Sequence, residues 1–154
     1  MKGNDRLLTV LNELLAEELT AISQYMVHSE MCANWGYNKL HAAMEKQAMD
    51  EMHHAEWLIG RIIFLEGQPV VSKLMPMQIG GTIVEMITND QAAELAAIKA
   101  YNAAIALAHE VADQVSVDLL IKILKDEENH EDWGEIQLTQ IEHMGLANYL
   151  TNQT

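Results

Sequence analysis

Leu7, Leu8, Leu11, Leu14, Leu15, Leu19 and Ile22 recur at steps of three and four residues and lead on towards Tyr25 and Met26. That period lays one apolar stripe along a helix, predicted over residues 5–34 and ending near Trp35-Gly36. A second helix is predicted from Asn38, expected as its N-cap, to Leu65, with Gly67 and Pro69 stopping it. Residues 66–81 hold Gly67, Pro69, Pro76, Gly80 and Gly81 and read as a long connection. Thr82 with Glu85 three residues on carries a capping-box signature, which opens a third helix reaching Ala112. A fourth helix is predicted from Asp113 or Ser116 to Met144. Gly145 then breaks the pattern and leaves Leu146–Leu150 as a short fifth.

Main helices of this length measure about 40–48 Å at ~1.5 Å per residue. Short loops make the first two antiparallel, and likewise the last two. The long middle connection lets the second hairpin start from the opposite end of the bundle. The expected fold is therefore all-α: a single domain over residues 1–154, a four-helix bundle with one long crossover and a short C-terminal fifth helix. A pseudo-twofold axis relating the hairpins would bring equivalent positions of the two halves together.

Composition agrees with helices: Ala, Leu, Ile, Met, Glu and Gln dominate, with two prolines and eight glycines. The net charge of −14 argues against nucleic acid as a partner and favours the attraction of cations. No apolar run is long enough to span a bilayer, and the first residues lack the apolar core of a signal peptide. One cysteine, Cys32, cannot form an internal disulfide. A cytoplasmic location is expected.

The two hairpins repeat their chemistry as well as their hydrophobicity. Glu18-Leu19-Thr20-Ala21-Ile22-Ser23-Gln24-Tyr25 returns as Glu94-Leu95-Ala96-Ala97-Ile98-Lys99-Ala100-Tyr101. Asp50-Glu51-Met52-His53-His54-Ala55-Glu56-Trp57 returns as Asp126-Glu127-Glu128-Asn129-His130-Glu131-Asp132-Trp133. Every pair is offset by 76 residues, so each half carries a Glu and, 33 residues on, a Glu-x-x-His. A lone Glu-x-x-His is ordinarily surface decoration. Two copies, each with a glutamate on an otherwise apolar turn, point to a metal site. Positions i and i+3 share a helix face, so Glu51 projects with His54 and Glu127 with His130. Four carboxylates inside a dry bundle would cost several kcal/mol each if uncompensated. Two divalent cations cancel them, and mixed imidazole and carboxylate ligation suits iron, manganese or zinc. This constellation is the one general bundle rules give for di-iron and di-manganese carboxylate proteins, so here it is matched to a known pattern. Tyr25 and Tyr101 lie two turns beyond the first glutamate of each half. Core packing with a bonded hydroxyl is expected of Tyr101, and a supporting or redox role at the site of Tyr25. Trp57 and Trp133 are expected in packing, and Asp50 and Asp126 as supporting or surface acids.

Across its whole length the chain resembles the bacterioferritins of the ferritin superfamily. The resemblance runs from Met1-Lys2-Gly3 through Asn34-Trp35-Gly36, Asp50-Glu51-Met52 and Phe64-Leu65-Glu66-Gly67 to Gly145-Leu146-Ala147-Asn148-Tyr149-Leu150. It implies a ferritin-like fold and iron storage with ferroxidase activity. One iron would be held by Glu18, Glu51, His54 and Glu127, and the other by Glu51, Glu94, Glu127 and His130, with Glu51 and Glu127 bridging. It implies Fe(II) as substrate, dioxygen or hydrogen peroxide as oxidant, and a ferric mineral inside a homo-oligomeric cage of 24 subunits built from dimers. It also implies haem b, or a related haem, shared between two subunits through Met52 as axial ligand, and a ferredoxin as electron donor for iron release. Met52 has Glu128 as its counterpart, so the repeat itself does not require it. Bacterioferritins often pair a histidine at position 46 with Asp50 as an inner-surface iron site; this chain has Lys46, which puts that role of Asp50 in doubt. By family position Asn34, Glu66, Asp132 and Asn148 would line routes for iron between subunits.

Two other classes compete with this reading. One is a rubrerythrin-like peroxidase or a di-manganese catalase-like enzyme, although a single cysteine excludes the Cys-x-x-Cys module usual in rubrerythrins. The other is a non-enzymatic haem-binding helical bundle.

Overall fold

A computed structural model describes all 154 residues, and its regular structure is entirely helical. The elements are α1 (Asp5–Asn34), α2 (Asn38–Phe64), α3 (Ile83–Glu110), α4 (Gln114–Met144) and α5 (Leu146–Thr151). No helix is long and apolar enough to cross a membrane.

Most boundaries follow the local chemistry read above, and four differ in instructive ways. Asn38 is the first helical residue of α2, not its N-cap, and the preceding Tyr37 offers no side-chain cap. Part of that role comes from far along the chain: the Lys39 N–H donates to the Gln153 carbonyl at 2.9 Å. At the other end of α2, the left-handed residue is Glu66 (φ 62°), not Gly67. Gly67 is closely packed instead: a Cβ there would meet Leu8 Cδ2 at 2.6 Å and the Ile62 carbonyl at 3.2 Å. The Thr82 box is offset by one residue. Thr82 Oγ1 accepts the Glu85 N–H, while the Glu85 carboxylate reaches back to the Gly81 N–H at 2.8 Å. Helix α3 stops at Glu110, two residues short of the expected end, where Ala112 turns left-handed.

The chain order of directions is up, down, down, up. The start of α1 meets the end of α2, with Gly3 N–H on the Leu65 carbonyl. The end of α1 meets the start of α3 through His28 and Asp90, and Arg6 pairs with Glu110 at the opposite end. Helix α2 lies against α4, where Arg61 pairs with Asp113 at 2.6 Å.

This order requires residues 65–82 to travel the length of the bundle, and α1 supplies the track. Asn12, Thr20, Gln24 and His28 sit at multiples of four residues, hence on one helix face. They accept in turn the backbone N–H groups of Val70 (2.8 Å), Met75 (2.8 Å), Gln78 (3.0 Å) and Gly80 (2.9 Å). An irregular segment has few partners of its own for these groups, so the ladder meets a need that regular structure would otherwise meet. Because His28 Nε2 accepts from Gly80, its Nδ1 carries the proton donated to Asp90.

Two apolar clusters flank a polar middle layer. Leu7, Leu11, Leu14 and Leu15 pack with Leu58, Ile62, Tyr101, Ala104, Leu120 and Ile123 at one end. Cys32, Leu40, Met44, Ile83, Met86, Ile87 and Tyr149 pack at the other, with α5 held there by Tyr149 Oη donating to Gln137. Each fully buried Leu or Ile contributes roughly 1.5–3 kcal/mol. The two ends together can therefore carry a costly layer between them.

Candidate metal centre

That layer is where the repeat converges. Glu18 comes from α1, Glu51 and His54 from α2, Glu94 from α3, and Glu127 and His130 from α4. All six are buried. Their ligand atoms form two groups, Glu18–Glu51–His54–Glu127 and Glu51–Glu94–Glu127–His130. Within each group these atoms lie within 4.8 Å of one another, and Glu51 and Glu127 belong to both.

Both imidazoles turn Nδ1 inward. His54 Nδ1 lies 2.8 Å from Glu51 Oε2, and His130 Nδ1 lies 2.9 Å from Glu51 Oε1, so one carboxylate spans the two rings. The rings stand 6.3 Å apart, 26° from parallel. Their outer nitrogens cross between the halves: His54 Nε2 bonds Asp126 Oδ2 at 3.0 Å, and His130 Nε2 bonds Asp50 Oδ2 at 3.1 Å. An acid on the outer nitrogen fixes the tautomer and leaves the inner one free to ligate. The tyrosines cross in the same way, Tyr25 donating to Glu94 and Tyr101 to Glu18.

The electrostatics show what the layer lacks. Burial pushes Glu18 and Glu127 well above the usual carboxylate range, and the charge on Glu51 adds to this. Burial acts on Glu51 too, but hydrogen bonds from His130 and His54 outweigh it and hold Glu51 below that range. Burial opposes charge on the imidazoles, yet the neighbouring carboxylates of Glu127, Glu18 and Glu51 hold His54 far above its ordinary value. The carboxylates of Glu51 and Glu94 push His130 up to about 10. Protons thus stand where cations would. Even so, two buried oxygens remain without a hydrogen bond, Glu94 Oε2 and Glu127 Oε1. Glu127 Oε1 is only 2.9 Å from His54 Nδ1 but lies outside hydrogen-bonding geometry. Orphaned acceptors beside inward-facing imidazoles fit a pair of divalent cations and fit a purely structural role poorly.

A pH dependence follows. Folding raises the proton affinity of His54, His130, Glu18 and Glu127, so their stabilising contribution is complete below the unfolded values. It is lost as pH climbs through the folded ones, towards about 10 for His130. Cations must displace these protons. Anaerobic Co(II) affinity is expected to rise by at least about tenfold per pH unit between about pH 6 and about pH 8. Isothermal titration in buffers of different ionisation enthalpy checks both the slope and the proton release; a flat profile would contradict this account.

Each residue singled out in the sequence has a definite place. The six form the centre, and Tyr25 bonds Glu94. Met52 lies on the outside of α2, 41% exposed. Asp50 is shared between His130 and Lys46, whose Nζ is 2.7 Å away. Asn34, Glu66, Asp132 and Asn148 are exposed, and Glu66 takes the N-terminal ammonium at 2.9 Å. Tyr101 packs in the core as expected, but the neighbour its hydroxyl meets is Glu18, so it stands as close to the centre as Tyr25. The two contacts obey the same offset of 76 residues, Tyr25–Glu94 mapping onto Tyr101–Glu18. Nothing in the sequence marked His28 and Asp90, whose partnership appears only across α1 and α3.

Known proteins resemble the chain along nearly its whole length. A ferritin-like domain model matches residues 8–144. The "Bacterial ferritin" of Synechocystis sp. is 43% identical over 154 residues, covering 99% of each chain. The "Bacterioferritin" of Rhodobacter capsulatus is 39% identical, covering 94% of this chain and 90% of its own. That of Mycobacterium tuberculosis is 39% identical, covering 97% and 94%. With a buried repeat of carboxylates and imidazoles inside a crossover four-helix bundle, and relatives matched almost end to end, the chain belongs to the bacterioferritins, within the family of ferritin-like proteins.

Proposed function

We propose that this chain is a ferroxidase subunit that oxidises Fe(II) at a centre for two irons and stores the ferric product inside a hollow shell of 24 copies. The observation that carries this reading is the pair of overlapping ligand groups sharing Glu51 and Glu127. Glu18 and His54 complete one position, Glu94 and His130 the other, and the two shared carboxylates bridge. Two adjacent Fe(II) substrates supply two electrons together. With dioxygen these electrons and two protons give hydrogen peroxide; with hydrogen peroxide and two protons they give two waters. A carboxylate-rich ligand set favours the ferric product. Tyr25 and Tyr101 hold the terminal glutamates, while Asp50 and Asp126 hold the imidazoles in the ligating tautomer.

Met52 is proposed as the axial ligand of a haem shared with the same residue of a second copy. Its exposed position on α2 leaves the thioether free for such a contact, and the group would supply a path for electrons into the shell. A ferredoxin is the proposed electron donor for iron release. The negative charge of the chain would draw Fe(II) towards the shell.

Purified protein is expected to elute at cage size and to show a haem Soret band. It should oxidise two Fe(II) per chain rapidly in air, then mineralise further additions. A small oligomer that mineralises nothing would overturn the storage reading; cage-sized protein with no Soret band would overturn the role of Met52 alone.

A further inference from the structure

The repeat includes two lysines, each four residues before a supporting aspartate: Lys46 before Asp50 and Lys122 before Asp126. They behave differently. Lys46 Nζ donates to Asp50 Oδ2, and that same oxygen receives His130 Nε2. Lys122 turns away from Asp126 and lies 3.5 Å from the ring centre of Trp57, over its face. The tryptophan equivalent to Trp57 is Trp133, which is taken up against the second apolar cluster. Asp126 pairs with His54 and with no lysine. The inner surroundings differ in the same sense. His54 Nδ1 has three carboxylates within 4 Å, Glu51, Glu127 and Glu18, whereas His130 Nδ1 has two, Glu51 and Glu94.

We propose that Lys46 makes the two metal positions unequal, so that a divalent cation fills the Glu18–Glu51–His54–Glu127 position before the Glu51–Glu94–Glu127–His130 position. The inference rests on the metal-centre reading above. A full aspartate charge on the outer nitrogen of an imidazole raises its basicity as a ligand. Asp126 gives that charge to His54 undivided, while Asp50 shares its accepting oxygen with an ammonium. The ammonium also adds positive charge beside the position an incoming cation must occupy. Lys46 is three-quarters exposed, so solvent screens much of this, and the preference expected is about threefold to tenfold. Lys46 is thus a positioning residue, acting on the cation through Asp50 and His130.

The test is anomalous diffraction from crystals of the metal-free assembly soaked with one equivalent of Zn(II) per chain. Density is expected mainly at the His54 position. In Lys46→Gln the preference should shrink, whereas Lys46→Arg should keep it and Lys122→Gln should not reduce it. Equal occupancy in the native chain, a preference for the His130 position, or an unchanged ratio in Lys46→Gln would overturn the inference and leave the two-metal centre standing. An absence of zinc at both positions, even at high excess, would instead overturn the centre on which the inference rests.

Discussion

Replacing Glu51 by Ala is expected to abolish rapid Fe(II) oxidation, with a loss of at least about 100-fold in stopped-flow rate. Outer partners of metal ligands already cost about 10–100-fold when removed, and Glu51 is closer in than any of them. It belongs to both ligand groups and faces both imidazoles, at 2.8 and 2.9 Å. Its loss separates the two positions, so the two-electron step no longer has both donors at hand. The bundle itself should survive, because the apolar clusters at each end do not depend on this side chain. Helical circular dichroism and cage-sized elution verify that. Glu110→Ala, which alters an exposed acid at the end of α3, should oxidise iron at the native rate. Native-like rapid oxidation by Glu51→Ala would remove the centre from the mechanism.

The second large effect is on stability. Without a cation, Glu51 is held by the two imidazoles while two buried carboxylate oxygens stay unsatisfied. A cation that binds only the folded chain stabilises it by about 4 kcal/mol at ~1,000 times its dissociation constant. For a domain of this size that is a rise of about 8–16 °C in Tm. Scanning calorimetry of the metal-free assembly with and without Zn(II) measures it. The double change Glu18→Gln with Glu127→Gln should behave in the opposite way to an ordinary core lesion. Burial pushes both groups well above the usual carboxylate range, so an amide of the same shape removes a costly buried charge and keeps the packing. Metal-free stability should match or exceed the native value, and most of the gain from Zn(II) should vanish. A double variant that gains as much as the native chain would show that the acids do not hold the cation.

Much of this was legible without coordinates because the signals are periodic and local. The leucine stripe from Leu7 to Ile22 marks one face of α1, and Gly145, left-handed at φ 77°, ends α4 where expected. The six centre residues were legible for a different reason: a repeat offset by 76 residues is improbable unless both copies meet. Features built from contacts distant in sequence were not legible. The track of Asn12, Thr20, Gln24 and His28 reads simply as polar residues in an amphipathic helix until a backbone lies along it. Asn38 looked like a cap because its local chemistry suits one, yet the start of α2 is met by a carbonyl more than a hundred residues away.

By itself, then, the sequence determined the helices, their order, the long crossover and the identity of the six residues at the centre. Helix periodicity and a fixed register are properties of neighbouring residues and of exact repetition, and both can be read along one dimension. Only the tertiary structure decided how the halves cross. It placed Tyr25 on Glu94 and Tyr101 on Glu18, and set Asp50 behind His130 and Asp126 behind His54. It also sent two equivalent lysines to different partners, Lys46 to a carboxylate and Lys122 to an indole. Exposed side chains with several rotatable bonds settle wherever the nearest charge or aromatic face lies. Packing places that face, so the symmetry written in the sequence is kept at the buried ligands and broken at the surface around them.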